Sequence, residues 1–171
     1  ADKIGISRRA VKGVTYCFLY GGSARRIGKT YDKQLSDNKA AAKGKEIRDA
    51  FIKAIPGLSE LLSAVKRRAS TGSILAIDGR KLLVDSPHKS LNFLLQGSAA
   101  TIAKRWLQIT HENLPPTAHQ LAFVHDELQY ECKKEDVEDL KFLLELSAAQ
   151  AGEYYNLRIP IAAEAKSGAT W

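Results

Sequence analysis

The chain contains no methionine, not even at position 1, so Ala1 is expected to follow a removed initiator, a cleavage or an engineered start. Cysteine is scarce too. Cys17 and Cys132 stand far apart without C-x-x-C spacing, which argues against a disulfide framework and a zinc site and fits a reducing, intracellular compartment. No apolar run approaches the roughly 18 residues that a membrane span requires, and the opening Ala1-Asp2-Lys3-Ile4 has no signal-peptide core. The sequence thus reads as cytoplasmic, with no membrane partner. It also lacks internal repeats, low-complexity segments and any obvious flexible linker.

What is present suits a folded protein. With 171 residues, 44% of them hydrophobic, the chain can bury a core as one large domain or two small ones. Lys and Arg number 26 against 19 Asp and Glu, a formal charge of +7. That excess favours anionic partners such as nucleic acid, although charge alone does not identify one.

The apolar spacing of Val11, Val14 and Phe18 predicts a helix from about Ser7 to Tyr20, ended by Gly21-Gly22. Further helices are expected over Ala24 to Leu35, from Ser36 or Asp37 to the break at Pro56-Gly57, and over Leu58 to Ala69. The pattern then changes. Ile74 to Ile77 and Lys81 to Val84 read as short strands around an Asp78-Gly79 hairpin turn. Ser86-Pro87 opens a long helix to about Asn113, stopped by Pro115-Pro116. A second hairpin is expected over Gln120 to Cys132, a helix over Glu135 to Tyr155 and a strand over Arg158 to Ala163. The order predicts an α+β fold with helices against an antiparallel sheet.

Three constellations could carry chemistry. Arg8, Lys12, Tyr16 and Tyr20 recur at every fourth position and sweep about 120° of a helix surface, away from the apolar stripe. Two cations followed by two aromatics suit the phosphates and the sugar or base of a nucleotide. A solvated basic face has the same spacing. Val124-His125-Asp126-Glu127 sets adjacent carboxylates at a hairpin, where they can hold a hard cation such as Mg²⁺ or simply make a polar turn. His88, Asn92 and Gln96 follow one another at four-residue steps beside Leu91, Leu95 and Ile102. Such amides can reach acceptors in a DNA minor groove or satisfy nearby backbone.

In this order the three resemble family A DNA polymerases. The run from Arg8 through Lys12 and Tyr16 to Tyr20-Gly21 is similar to motif B, the fingers helix that grips the incoming deoxynucleotide. Val124 to Glu127 resembles motif C, the palm hairpin with a metal-binding aspartate. Ser86-Pro87-His88 through Asn92 to Gln96-Gly97-Ser98-Ala99-Ala100 resembles the helix that follows the primer-template minor groove, and Gly168-Ala169-Thr170-Trp171 the C-terminal strand. Tyr16, where many bacterial repair enzymes carry Phe, and Ser86-Pro87-His88 lean towards the phage replicative branch, which would place the protein in a host cytoplasm.

The resemblance implies helical fingers over residues 1–72 and the C-terminal half of an antiparallel palm over residues 73–171. It implies a DNA-directed DNA polymerase that extends a primer 3′-end by two-metal nucleotidyl transfer, with two Mg²⁺ ions, primer-template DNA and deoxynucleoside triphosphates as partners. Arg8 and Lys12 would hold the triphosphate, with Lys12 stabilising charge as the phosphoryl bond breaks. Tyr16 would pack near the sugar and Tyr20 near the templating base. Asp126 would ligate metal, with Glu127 in or near its shell and His125 beside the primer terminus. Asn92 and Gln96 would read the minor groove, and His88 would touch the DNA backbone, where the family often has Arg.

The family's motif A strand, with the other metal-binding aspartate, should precede motif B, yet only seven residues precede Arg8. A second polypeptide carrying motif A, the thumb and, where present, an exonuclease is therefore expected, with this chain inactive alone. The competing readings are a non-catalytic DNA- or nucleotide-binding fragment and a basic structural protein that binds nucleic acid by charge.

Overall fold

The structure, a computed structural model, describes residues 8–170, and the expected helix start at Ser7 lies outside them. The elements run α1 (Arg8–Leu19), α2 (Ala24–Tyr31), α3 (Asp37–Ala54), α4 (Leu58–Ala69), β1 (Ser73–Leu75), β2 (Lys81–Leu83), α5 (Ser90–Glu112), β3 (His119–Val124), β4 (Glu127–Glu131) and α6 (Val137–Tyr154). Short 3₁₀ turns at Pro87–Lys89 and Lys134–Asp136 lead into α5 and α6. The fold is α+β, as expected, with each antiparallel sheet having two strands among the described residues. The chain forms two compact units, one running through Leu75 and resuming at Lys81–Leu95, the other made of Ala76–Arg80 and the chain from Gln96 onward.

In the first unit the apolar stripe of α1 does what its spacing predicts. Val14 and Phe18 are buried with Ile27, Ile47, Phe51 and Leu58 in one cluster. Phe18 stacks on Phe51 with ring centroids 5.3 Å apart. At full burial each of these large side chains contributes about 1.5–3 kcal/mol. Helices α2 and α3 approach so closely that a Cβ at Gly28 would overlap the Ala40 carbonyl oxygen, and one at Gly44 the Ala24 carbonyl oxygen. Helix α2 stops at Tyr31, short of the expected Leu35. Asp32 turns extended, and its carboxylate accepts a hydrogen bond from the Gln34 N–H, a local alternative to the helical ladder. Asp37 opens α3, and its carboxylate accepts from the Arg25 guanidinium at 2.9 Å with Lys29 at 3.4 Å. These partners, Arg25 first, hold the Asp37 carboxyl below its ordinary range. A second cluster buries Val65, Ala69, Ile74 and Val84 beneath α4 and the β1–β2 pair.

In the second unit, the residues between β1 and β2 form a longer turn than the two-residue Asp78-Gly79 link expected. Gly79 N–H donates to Ala76 O and Ala76 N–H to Arg80 O, with Gly79 at φ +82°. This is a three-residue hairpin loop with a left-handed glycine at its end. Burial works to raise the Asp78 carboxyl, but hydrogen bonds from the Arg80 backbone and side chain win and leave it lowered. Helix α6 buries Leu140, Ala148 and Ala151. The Trp106 indole on α5 donates to Leu144 O at 2.8 Å.

The expected strand over Arg158 to Ala163 does not form, nor do Gly168 to Thr170; Trp171 lies outside the described residues. A strand exists only where its backbone finds a ladder partner, and among the described residues none pairs with this segment. Pro160 also removes one donor.

Candidate nucleotide and metal site

Helix α1 has no acidic residue, and Arg8 is its first residue, with a side chain outside the described part of the structure. With Val14 and Phe18 turned into the core, the opposite face holds Lys12 and Tyr16 exposed. Lys12 meets no carboxylate among the described residues. Tyr20 lies one residue beyond the helix rather than on it, because the chain turns there. Its N–H still donates to Tyr16 O at 2.9 Å, and the two rings stack with centroids 5.9 Å apart and planes at 28°. The cation and the two rings of the predicted nucleotide face therefore share one surface of this unit.

The helix ends in a Schellman cap. Gly21 N–H donates to Phe18 O and Gly22 N–H to Cys17 O, and Gly21 sits at φ +73°. A Cβ on Gly21 would stand 2.6 Å from the His88 carbonyl oxygen, so glycine there lets the Ser86-Pro87-His88 segment close on the end of α1. His88 is exposed, with Nδ1 2.8 Å from the Ser86 hydroxyl. A cleft of about 560 Å³ opens here, walled by Tyr20, Gly21, Ser23, Arg26, His88 and Lys89. Sequence reasoning missed Arg26 and Lys89. Neither lies on the periodic face of α1, and only tertiary packing brings them to it.

Asn92 and Gln96 stand one turn apart along α5. Asn92 is half-buried, its Oδ1 enclosed and accepting no hydrogen bond among the described residues, while Gln96 is exposed. Of the apolar residues expected beside them, Leu91 is buried, Ile102 is half-buried and Leu95 is exposed.

In the second unit β3 and β4 pair with Val124 opposite Glu127, leaving His125-Asp126 as a two-residue tip. His125 takes φ +55°, a left-handed conformation that histidine adopts more readily than most residues. A bulge at Leu121 shifts the register between Gln120 and Ala122. Glu127 is the first residue of β4 rather than part of the turn. His125, Asp126 and Glu127 are all exposed, and Gln129 Nε2 donates to Glu127 Oε1 at 3.0 Å. Asp126 has no cationic partner among the described residues. Two exposed carboxylates of hard oxygen donors fit Mg²⁺, which takes one or two carboxylates and completes its shell with water and phosphate oxygens. Among the described residues no group of three or more His, Cys, Asp or Glu side chains could hold a metal ion. Further along β4, burial pushes the Tyr130 phenol up, and among the described residues its hydroxyl finds no hydrogen-bond partner.

No described helix is long and apolar enough to cross a membrane. Residues 5–171 match the family model of DNA polymerase family A. The chain is 29% identical over 192 residues to a DNA-directed DNA polymerase of Enterobacteria phage T3, covering 96% of this chain and 26% of the relative. The corresponding protein of Escherichia phage T7 is 28% identical, with 96% and 26% covered. DNA polymerase I of Aquifex aeolicus is 24% identical, with 96% and 30% covered. The chain thus spans about a quarter of the length of its phage relatives. Among solved structures it is similar to the polymerase domain of Pol1 from M. smegmatis in complex with DNA primer-template and dNTP, at a TM-score of 0.74 and 26% identity, over 90% of this chain and 28% of that one. Family A polymerases generally use divalent metals. With nearly its whole length inside the family model and a fold shared with a family structure, the chain belongs to DNA polymerase family A.

Proposed function

We propose that the chain is the fingers and C-terminal palm portion of a template-directed DNA polymerase, the division falling near residue 72. The observation that carries this reading is the α1 face on which exposed Lys12 lies in line with the stacked Tyr16 and Tyr20, on a chain matching the family model over residues 5–171. Arg8 and Lys12 bind the triphosphate of a deoxynucleotide, and Lys12 donates a charge-assisted hydrogen bond that strengthens as the leaving phosphate gains charge. Tyr16 packs on the sugar and Tyr20 beside the templating base. His88 contacts the DNA backbone, Asn92 and Gln96 the minor groove, and His125 the primer terminus.

Asp126 holds Mg²⁺, with Glu127 in or near its shell. Two bound ions supply activation of the primer 3′-hydroxyl and neutralisation of the leaving pyrophosphate. Such a site needs carboxylates from more than one strand, and the described residues offer no three-ligand group. In our reading the remaining ligands come from a motif A strand carried, with the thumb and with or without an exonuclease, by a second polypeptide in the cytoplasm. The same observation favours a second reading, a DNA- or nucleotide-binding protein without catalysis. Equilibrium binding of a deoxynucleoside triphosphate with and without Mg²⁺, on wild type and Lys12→Ala, tests the shared part. Mg²⁺-dependent binding lost with Lys12 is expected, and binding indifferent to both removes the nucleotide site.

A further inference from the structure

We propose that Arg48, Lys66 and His88 form a cleft that grips a phosphodiester of a bound DNA strand, an inference that rests on the DNA-binding reading above and adds Arg48 and Lys66 to it. The cleft is small, about 130 Å³, and its walls include Phe18, Leu62 and Leu91. That is well below the roughly 300 Å³ at which pockets begin to enclose drug-sized ligands, so it suits one phosphate group and not a whole nucleotide.

Each of the three side chains reaches the cleft from a different element: the cations Arg48 from α3 and Lys66 from the last turn of α4, and the His88 imidazole from the 3₁₀ turn before α5. The Arg48 guanidinium lies 5.9 Å from the centre of the Phe18 ring, which is itself buried and stacked on Phe51. A cation over an aromatic face is held without being neutralised. No carboxylate lines the cleft, and neither Arg48 nor Lys66 pairs with one among the described residues. Glu46, half a turn from Arg48 on α3, is taken by Lys43, and Asp49 is not part of the wall. Cations collected around one concavity with apolar walls repel one another and focus a positive potential, which an anion relieves. Arginine adds a planar fork matched to two phosphate oxygens, and lysine a point charge.

The test is the salt dependence of DNA binding by the full chain, followed by fluorescence anisotropy on a blunt duplex and on a duplex with a 5′ single-stranded overhang. The variants are Arg48→Ala/Lys66→Ala and a charge-matched control, Lys39→Ala/Lys45→Ala, whose side chains are exposed on α3 away from the cleft. Each lost phosphate contact lowers the slope of log affinity against log salt by about 1. Because the cleft holds one phosphodiester, the cleft variant should lose about 1 in slope, and a fourfold rise in salt should weaken it about three- to fourfold less than wild type. The control should keep the wild-type slope, and Arg48→Lys should recover most of the loss. A loss on both DNAs assigns the phosphodiester to the duplex, and a loss confined to the overhang assigns it to the single strand. Equal slopes for wild type and the cleft variant, or an equal loss in the control, overturn the cleft while leaving DNA binding intact. Wild type that binds neither DNA overturns the DNA-binding reading itself. Circular dichroism of each variant separates lost binding from lost fold.

Discussion

Lys12 has no role in holding its helix to the core, since it is exposed and meets no carboxylate among the described residues. Removing it should leave the fold untouched and fall on the ligand. In an active assembly Lys12→Ala should lower kcat/KM for nucleotide by about 2 kcal/mol, the scale of one charge-assisted hydrogen bond, with primer-template affinity little changed. Steady-state kinetics at varied nucleotide concentration reads this directly, and unchanged nucleotide dependence would take Lys12 out of the site. Asp126 is a parallel case at the exposed hairpin tip. Asp126→Asn keeps the shape and removes the charge proposed to hold Mg²⁺, so it should abolish extension while the thermal melt stays at the wild-type value. Glu127→Gln should be milder, because Glu127 already shares an oxygen with Gln129. Near-normal extension by Asp126→Asn would disprove the metal assignment.

Elements bring these residues into position, and two junctions can be tested. Gly21 combines a left-handed backbone with the close approach of His88, whereas Gly57, at φ +80°, has nothing near its would-be Cβ. Gly57→Ala should cost only the conformational strain, about 1–2 kcal/mol. Gly21→Ala should cost more and displace His88, seen as a larger drop in urea midpoint together with weakened DNA binding. Equal losses would mean that the contact with His88 adds nothing. The α2–α3 junction should respond to pH. Arg25 and Lys29 hold the folded-state Asp37 carboxyl below its ordinary range. Their stabilisation is then fully present above the unfolded carboxylate's titration and lost as pH falls through the folded value. Wild type should exceed Asp37→Asn in stability at neutral pH, by a small margin because the pair is exposed, and the margin should close in acid. A margin that persists in acid would assign the effect to something other than this ion pair.

The helices and both hairpins were legible because periodicity records which face a segment buries: Val14 and Phe18 on α1, Leu140, Ala148 and Ala151 on α6. Helix ends were less so. Asp32 ended α2 by bonding Gln34, a local competition that apolar spacing does not register. Arg158 to Ala163 has strand-like composition without a partner to pair with. The candidate site was read from three motifs in order, and of the first of them Lys12, Tyr16 and Tyr20 share one surface. Arg26, Lys89, Arg48 and Lys66 were not, because helices distant in sequence carry them to the clefts beside His88.

At the scale of the whole molecule, the chain spans about a quarter of the length of the phage polymerases it matches, and the proposed metal site would take its remaining carboxylates from outside the described residues. Exposed apolar side chains on the second unit, Leu121 and Val124 on β3 and Phe142 and Leu146 on α6, are the kind of surface that another polypeptide covers. The most direct measurement is primer extension with Mg²⁺ and four deoxynucleotides, comparing this chain alone, a chain carrying the motif A strand and thumb alone, and the two mixed, with the size of each species determined in parallel. The expected result is no extension by either chain and extension by their complex, abolished by Asp126→Asn. Robust extension by this chain as a monomer would contradict the shared site, and a stable complex that extends no primer would leave a DNA-binding protein without catalysis.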